Sequence, residues 1–572
     1  MRGPAPKLPG WVVPAAAALV AFALRAAGAS HYWINADEGI YYAVASAPTW
    51  AERWSAIAGN AHPPLHYLLL VLIRSVTDDA LWLRAPSVLF GALAVPALYA
   101  LVRALAGRGA GGIAAWGLAL SPGAVMLSQT ARPYGLQLFL LAIALLCLLR
   151  GAQSRERRWL AGYAVSALLA VLHHYSSLIA LGTAGLCVGA AGLRGALPPA
   201  VLARIALASA PAALAAALVA WLHLVPALRA GFPEGAVPGW LTPYYAQGPR
   251  ALAALWLGAV EYLTGAALAA PVLLVWLGAL ALALAQRRWL LAGASLALIA
   301  AASLLSLLAR YPLGCTRHDL YLALALFPLL GTGLAQALLA GPLARRALAL
   351  GCLALALLAR DPLARALGRP PGPWRAHPEL GLARSEVEGW LAPRLAALAK
   401  TPGLLLMDQF TSYTLLPLFA RDPSRPDAGA RPLGFADEHA LRVLDFGARK
   451  LVVAAAWFLS ASPRDRDAEH GLWRQLERLR DERRELAPLL SELRVVSANG
   501  PHLVLALRRR ASERHTRPDR VPPRARGLGR GAIVSEVELQ PPALALFRLD
   551  ARELHASGPW RSPSGIDPDS QP

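Results

Sequence analysis

The stretch Ala85-Pro-Ser-Val-Leu-Phe-Gly-Ala-Leu-Ala-Val-Pro-Ala-Leu-Tyr-Ala-Leu-Val102 runs 18 residues without a charge and ends on Arg103. About 20 mainly apolar residues cross a hydrocarbon core, so this run reads as a membrane span, and the arginines after it read as a cytoplasmic loop. Working outward, the basic residues fall on alternate loops. Trp11 to Ala29 comes out after Arg2 and Lys7; a cleaved leader ending at Ala27-Gly28-Ala29 would leave the same topology. Gly111 to Leu127, Trp159 to Leu172, Ile205 to Pro226, Leu290 to Leu308 and Ala347 to Leu358 run outward. Gly135 to Leu149, Leu178 to Leu193, Ala266 to Ala285 and Leu320 to Leu339 run inward to arginine-bearing loops. Leu65 to Ile73 is too short to cross and reads as a surface helix, as does Leu252 to Thr264. The charge rule therefore gives about eleven crossings, with the remainder of the chain outside. Were the Leu65 helix a full span, every later loop would invert and the arginines would sit outside.

The whole composition agrees. The 572 residues are 56% hydrophobic and 16% charged, with a mean hydropathy of +0.43, too apolar for a soluble globular chain. Cys147, Cys187, Cys315 and Cys352 are scattered and make neither a metal spacing nor a bridge framework. The net charge of +21 is read as basic loops and a basic tail meeting anionic membrane lipid, not as a nucleic-acid surface. After residue 360 the chain turns to Pro, Arg and Glu with short apolar runs. Leu404 to Met407 and Leu451 to Val453 read as strands, and Leu493 to Val496 and Leu503 to Leu507 flank the hairpin signal Asn499-Gly500. Leu472, Trp473, Leu476 and Leu479 form one face of a helix. The expected organisation is a membrane domain over residues 8–360 with a first outer loop at 30–84, an α/β domain over 375–508, and a disordered Arg/Pro-rich tail over 509–572.

The topology sorts the polar residues, because ionisable groups collect at the outer ends. Asp37-Glu38 follows the first span; adjacent carboxylates there suit a general base and an orienting group or metal ligand, against the plain reading of a solvated acidic pair. His62-Pro-Pro-Leu-His66-Tyr67 opens the surface helix, where proline at a helix start is ordinary. Ser128-Gln129-Thr130-Ala131-Arg132-Pro133-Tyr134 lies at an outer mouth. Its guanidinium either snorkels or forks onto a phosphate. His173-His174-Tyr175, Arg310-Tyr311 and Arg317-His318 reach the same level.

In this order the motifs resemble the GT-C membrane glycosyltransferases. More narrowly they resemble the bacterial, family 39-like branch related to protein O-mannosyltransferases and aminoarabinose lipid A transferases. The likeness covers roughly residues 8–340 and is silent on the sugar. Two positions depart from it: Thr130 stands where many relatives carry Glu, and His62 stands where aminoarabinose transferases carry Lys. The resemblance implies an α-helical polytopic membrane protein of GT-C type, placed in the inner (plasma) membrane; the extracytoplasmic α/β C-terminal domain, read from the strand signals, agrees with it in placement only. It implies transfer of a sugar from a polyprenyl-phosphate donor to a lipid, glycan or protein acceptor, usually with inversion. Asp37 takes the role of base and Glu38 that of second carboxylate. His62, Tyr67, Gln129, Arg132, Tyr134, His174, Tyr175, Arg310 and Arg317 are the substrate-binding candidates. No cofactor is implied with certainty; Glu38, His62 and His174 are the candidate ligands for a divalent metal.

Two rivals remain open at this stage. A transporter or flippase would carry ionisable groups near mid-bilayer beside broken helices, and Arg25 and Glu261 alone qualify, both near expected helix ends. A structural protein acting through its outer domain would make the Asp37 cluster incidental.

Overall fold

The computed structural model describes residues 9–225 except 59, 61, 78 and 155, residues 239–339, and short pieces beyond, and these fall into two compact units. The first unit is helical. Its helices are α1 (Val12–His31), α2 (Ala36–Ser46), α3 (Trp50–Ala58), α4 (Pro64–Arg74), α5 (Ala85–Ala106), α6 (Arg108–Leu120), α7 (Pro122–Ser128) and α8 (Tyr134–Ser154). They continue with α9 (Arg157–His173), α10 (Ser177–Leu193), α11 (Pro199–Val219), α12 (Pro249–Thr264), α13 (Ala269–Ala285), α14 (Trp289–Leu307) and α15 (Ala323–Leu339). Among the described residues six helical stretches are long and apolar enough to cross a membrane, or up to eight if each bent pair is one span. The expected crossing at Ala347 to Leu358 lies mostly outside the described residues.

Two expected elements are broken rather than straight. Gly111 to Leu127, read as one span, is the pair α6 and α7, bent by 57° at Ser121-Pro122. Proline supplies no N–H to the helical ladder, so α6 stops, and the Ser121 hydroxyl caps α7 by accepting from Ala124 N. The run from 249 to 285 bends by 101° between α12 and α13, around Gly265 at φ +81°. Helices elsewhere pack through small residues. A Cβ on Gly331 of α15 would stand 2.4 Å from the Ala110 carbonyl of α6, and one on Gly135 of α8 would stand 2.8 Å from that of Ser87 on α5.

Local sequence also sets the elements that carry the candidate site. Asn35 opens α2 with a reciprocal cap: its Oδ1 accepts from Glu38 N at 2.9 Å, and its own N–H donates to Glu38 Oε2 at 3.0 Å. Pro64 starts α4 where a missing N–H costs nothing. Thr316 and Asp319 form a second such box before the short 3-10 turn Arg317–Leu322.

The second unit holds a six-stranded sheet in the order β2-β1-β3-β5-β4-β6. Its strands are β1 (Leu404–Met407), β2 (Arg442–Asp445), β3 (Val452–Trp457), β4 (Leu493–Asn499), β5 (His502–Leu507) and β6 (Phe547–Arg548). β1 and β3 run parallel; β4 and β5 form a hairpin closing on the pair Asn499 and His502. The helix read over Leu472 to Leu479, and the tail apart from β6, lie outside the described residues.

Candidate active site

The two carboxylates that open α2 face different surroundings. Glu38 is fully buried. Its Oε1 accepts from Arg84 Nε and from Ala131 N, both at 2.7 Å, and its Oε2 accepts from Arg84 Nη2 at 2.7 Å in addition to the cap. Arg84, itself buried, spends its other donors on the carbonyls of Ala29, Tyr32 and Trp33 at 2.6–2.8 Å. The pair thus ties the end of α1, the start of α2 and the segment after α7 into one knot. A carboxylate with both oxygens so engaged has no place left for a metal. Among the described residues no group of three or more His, Cys, Asp or Glu could hold one. Glu38 is therefore not placed to serve as a metal ligand.

Asp37 is 28% exposed. Its Oδ2 receives Nη1 of Arg317 at 2.9 Å and forms an ion pair with Nη2 of Arg132. Arg132 is buried, donates from Nη1 to the Tyr41 hydroxyl at 3.0 Å, and lies over the Tyr41 ring at 5.4 Å. Three distant segments, the start of α2, the turn after α7 and the turn before α15, therefore converge on one carboxylate oxygen.

Around this point stands a wall of rings. His62 and His174 are 5.0 Å apart between centroids, Tyr134 is 5.0 Å from His174 and 6.4 Å from His318, and Tyr41 meets His62, His66 and Tyr67 at 5.2–6.1 Å. Backbone partners fix the tautomers. Nε2 of His66 and of His223 face the carbonyls of Ala131 and Ile57, so those nitrogens carry the proton. Nδ1 of His174 accepts from Ser176 N at 3.1 Å, so its proton sits on Nε2, a buried donor with no partner among the described residues. Burial holds the imidazoles of His62, His66 and His174 well below their usual 6.5, and neighbouring imidazoles push the same way; for His62 and His174 the Arg317 charge adds to this. Burial likewise raises the hydroxyls of Tyr41 and Tyr67.

The remaining expected residues make contacts with other groups. Tyr175 pairs with His223 Nδ1, and Arg310 lies exposed just beyond α14. Gln129 donates to the Leu24 carbonyl at 2.9 Å and accepts from Arg365 Nε at 2.6 Å, so it anchors α1 and the short helical piece 362–366. Sequence reasoning missed Arg84, Tyr41 and Arg365 as partners. The available signal was an arginine on the side that the charge rule leaves poor in arginine, which has to be paired to be there. Farther along, Trp256, Leu263, Trp276, Ile299, Leu322 and Leu326 line an apolar cleft of about 130 Å³ between α12, α13, α14 and α15.

Residues 61–223 match the family described as dolichyl-phosphate-mannose-protein mannosyltransferase. The match bears out the resemblance read from the motifs, and with it the reading of an enzyme, a glycosyltransferase of GT-C type in a multi-pass membrane chain. No curated protein matches. Among solved structures, ArnT from Cupriavidus metallidurans in the apo state aligns over 87% of this chain and 98% of its own at 16% identity and a TM-score of 0.49. The same protein bound to undecaprenyl phosphate aligns over the same shares at 16% identity and 0.48. The Archaeoglobus fulgidus oligosaccharyltransferase, in complex with Zn and sulfate, aligns over 68% of this chain and 55% of its own at 16% and 0.41.

Proposed function

We propose that this chain transfers a sugar from a polyprenyl-phosphate donor to an extracytoplasmic acceptor, with Asp37 as base. The observation that carries the reading is the convergence of Arg132 and Arg317 on Asp37 at a partly exposed point. Such a grouping offers what displacement at a sugar C1 requires: one proton acceptor, and cations for a departing phosphate. In the step, the acceptor hydroxyl or amine gives its proton to Asp37 and bonds to C1. The bond from C1 to the phosphate oxygen breaks, and the lipid phosphate leaves with the electron pair. Guanidinium forks suit the phosphate oxygens, so a bound donor competes with Asp37 for Arg132 and Arg317 and frees the carboxylate for the acceptor. A single carboxylate opposite the leaving group fits inversion.

The unpartnered Nε2–H of His174 is suited to a donor-side oxygen, and the ring wall of Tyr134 and His62 to the sugar face. The apolar cleft beside Leu322 suits a prenyl chain, five residues beyond Arg317. The proposed setting is the plasma membrane, crossed about eleven times, with the site and an α/β domain outside. Mass analysis of envelope glycolipids and glycoproteins from cells with and without the chain tests the reading. A sugar present only with the active chain is expected, and identical profiles would refute it.

A further inference from the structure

Arg25 lies within the apolar helix α1, six residues or about 9 Å before its end, and is buried. A charge at that depth in a membrane protein needs a reason. Its donors run to the break in the neighbouring span: Nη1 to the Ala119 carbonyl at 3.1 Å, Nη2 to the Leu118 carbonyl at 3.3 Å, and Nη1 also to Ala21 of its own helix at 3.1 Å. In an unbroken helix the Leu118 carbonyl would accept from residue 122, which is Pro122 and has no N–H. It keeps only a long contact of 3.4 Å from Ser121 N. The 57° bend takes α7 off the axis of α6, leaving the last carbonyls of α6 without their ladder. Arg25 supplies the missing donors, and its charge meets the negative end of the α6 dipole.

The next residue back brackets the other end. The Leu24 carbonyl accepts from Gln129 Nε2 at 2.9 Å, so one turn of α1 holds α7 from both sides. Packing leaves little tolerance: a Cβ on Gly91 of α5 would stand 2.1 Å from Ser128 Oγ and 3.3 Å from Arg25 Nε. Directly beyond α7 come Ala131, whose N–H meets Glu38, and Arg132, which meets Asp37.

We infer that Arg25 is a positioning residue: by capping the broken end of α6 it sets α7, and through α7 the place of Arg132 beside Asp37. The effect on catalysis rests on the glycosyltransferase reading; the effect on placement does not. The experiment therefore reads both, in the full chain carrying Thr130→Cys, a position that is 3% exposed. Labelling of position 130 by a membrane-impermeant maleimide is followed by mass spectrometry of its peptide, alongside donor turnover and thermal melting. Arg25→Met should raise labelling about tenfold or more and lower kcat at least tenfold with little change in KM, whereas Arg25→Lys, which keeps a charged donor, should stay shielded and within about threefold in kcat. Arg25→Met with Pro122→Ala restores the N–H but removes the break, so melting should recover while labelling stays high and turnover low. Should Arg25→Met fail to accumulate, Arg25→Gln, with donors but no charge, replaces it. Wild-type shielding in the uncharged variant would overturn the inference, as would recovery of turnover together with stability in the double variant. Absence of transfer by the unsubstituted chain, with the labelling pattern as expected, would count against the glycosyltransferase reading alone.

Discussion

The knot around Glu38 and the mouth around Asp37 begin one residue apart on the same first turn of α2, and each contains arginine from a distant segment. In the knot, Arg84 and two backbone N–H groups use both carboxylate oxygens, and nothing reaches solvent. At the mouth two guanidiniums crowd onto one oxygen of a residue that is still 28% exposed. Helical geometry explains how neighbours part so completely, since successive side chains on a helix point about 100° apart. The difference teaches that an acidic pair is a poor unit of function: one member holds the loop that the other needs.

The sharpest way to break that division is to remove one side of the knot. Arg84→Met leaves Glu38 buried without its cation, and breaking a buried pair costs about 3–5 kcal/mol. A large fall in melting temperature is expected, together with loss of folded protein from the membrane. A melt like that of the unsubstituted chain would place Glu38 among the groups free for chemistry. Asp37→Asn should do the reverse. It keeps size and partial exposure, so the melt should move little, while turnover falls about 100-fold or more because the proposed proton acceptor is gone. A Glu38→Gln variant that matched it in turnover at unchanged stability would erase the distinction.

A pH-dependent effect follows from the ring wall. His62, His66 and His174 sit well below 6.5 in the folded chain, chiefly through burial. Unfolded, they bind protons at the ordinary value, so their contribution is complete above about pH 6.5 and is lost as pH falls beneath it. Each group that must charge costs about 1.4 kcal/mol per pH unit in that range. Melting temperature should therefore hold from pH 8 to 7 and drop towards pH 5.5. A histidine-to-glutamine change at position 66 should flatten the drop.

Much of this was readable in the sequence, for identifiable reasons. Long uncharged runs are their own signal for spans, and the order of Asp37, His62 and Arg132 carried the family resemblance because those residues lie in short local motifs. The break at Pro122 was also written locally, as Ser121-Pro122-Gly123, but the apolar run around it reads as continuous at span length. What could not be read was pairing across distance. Arg317 and Asp37 are 280 positions apart, and Arg84 looks like any loop arginine until Glu38 is seen beneath it. The same gap hid the use of Gln129, whose partners Leu24 and Arg365 lie in two other segments.

The smallest expected effect separates arginines that sequence treats alike. Arg132, Arg310 and Arg317 all stand at ends of apolar runs, where snorkelling is the ordinary role and lysine serves nearly as well. The structure parts them: Arg132 and Arg317 reach Asp37, while Arg310 is exposed beyond α14. A lysine ammonium lacks the planar fork that spans two oxygens, so Arg132→Lys and Arg317→Lys should each lose about tenfold in donor turnover at saturating acceptor, roughly 1.4 kcal/mol. Arg310→Lys should stay within about twofold, the scale of a surface change. Equal losses at all three would mean that the donor reaches past the mouth to Arg310. Near-normal rates at Arg132 and Arg317 would mean that the two guanidiniums neutralise Asp37 without touching phosphate. In the first case the mouth is larger than the contacts of Asp37 suggest; in the second the contrast with the Glu38 knot disappears, because both carboxylates would then be held for structure.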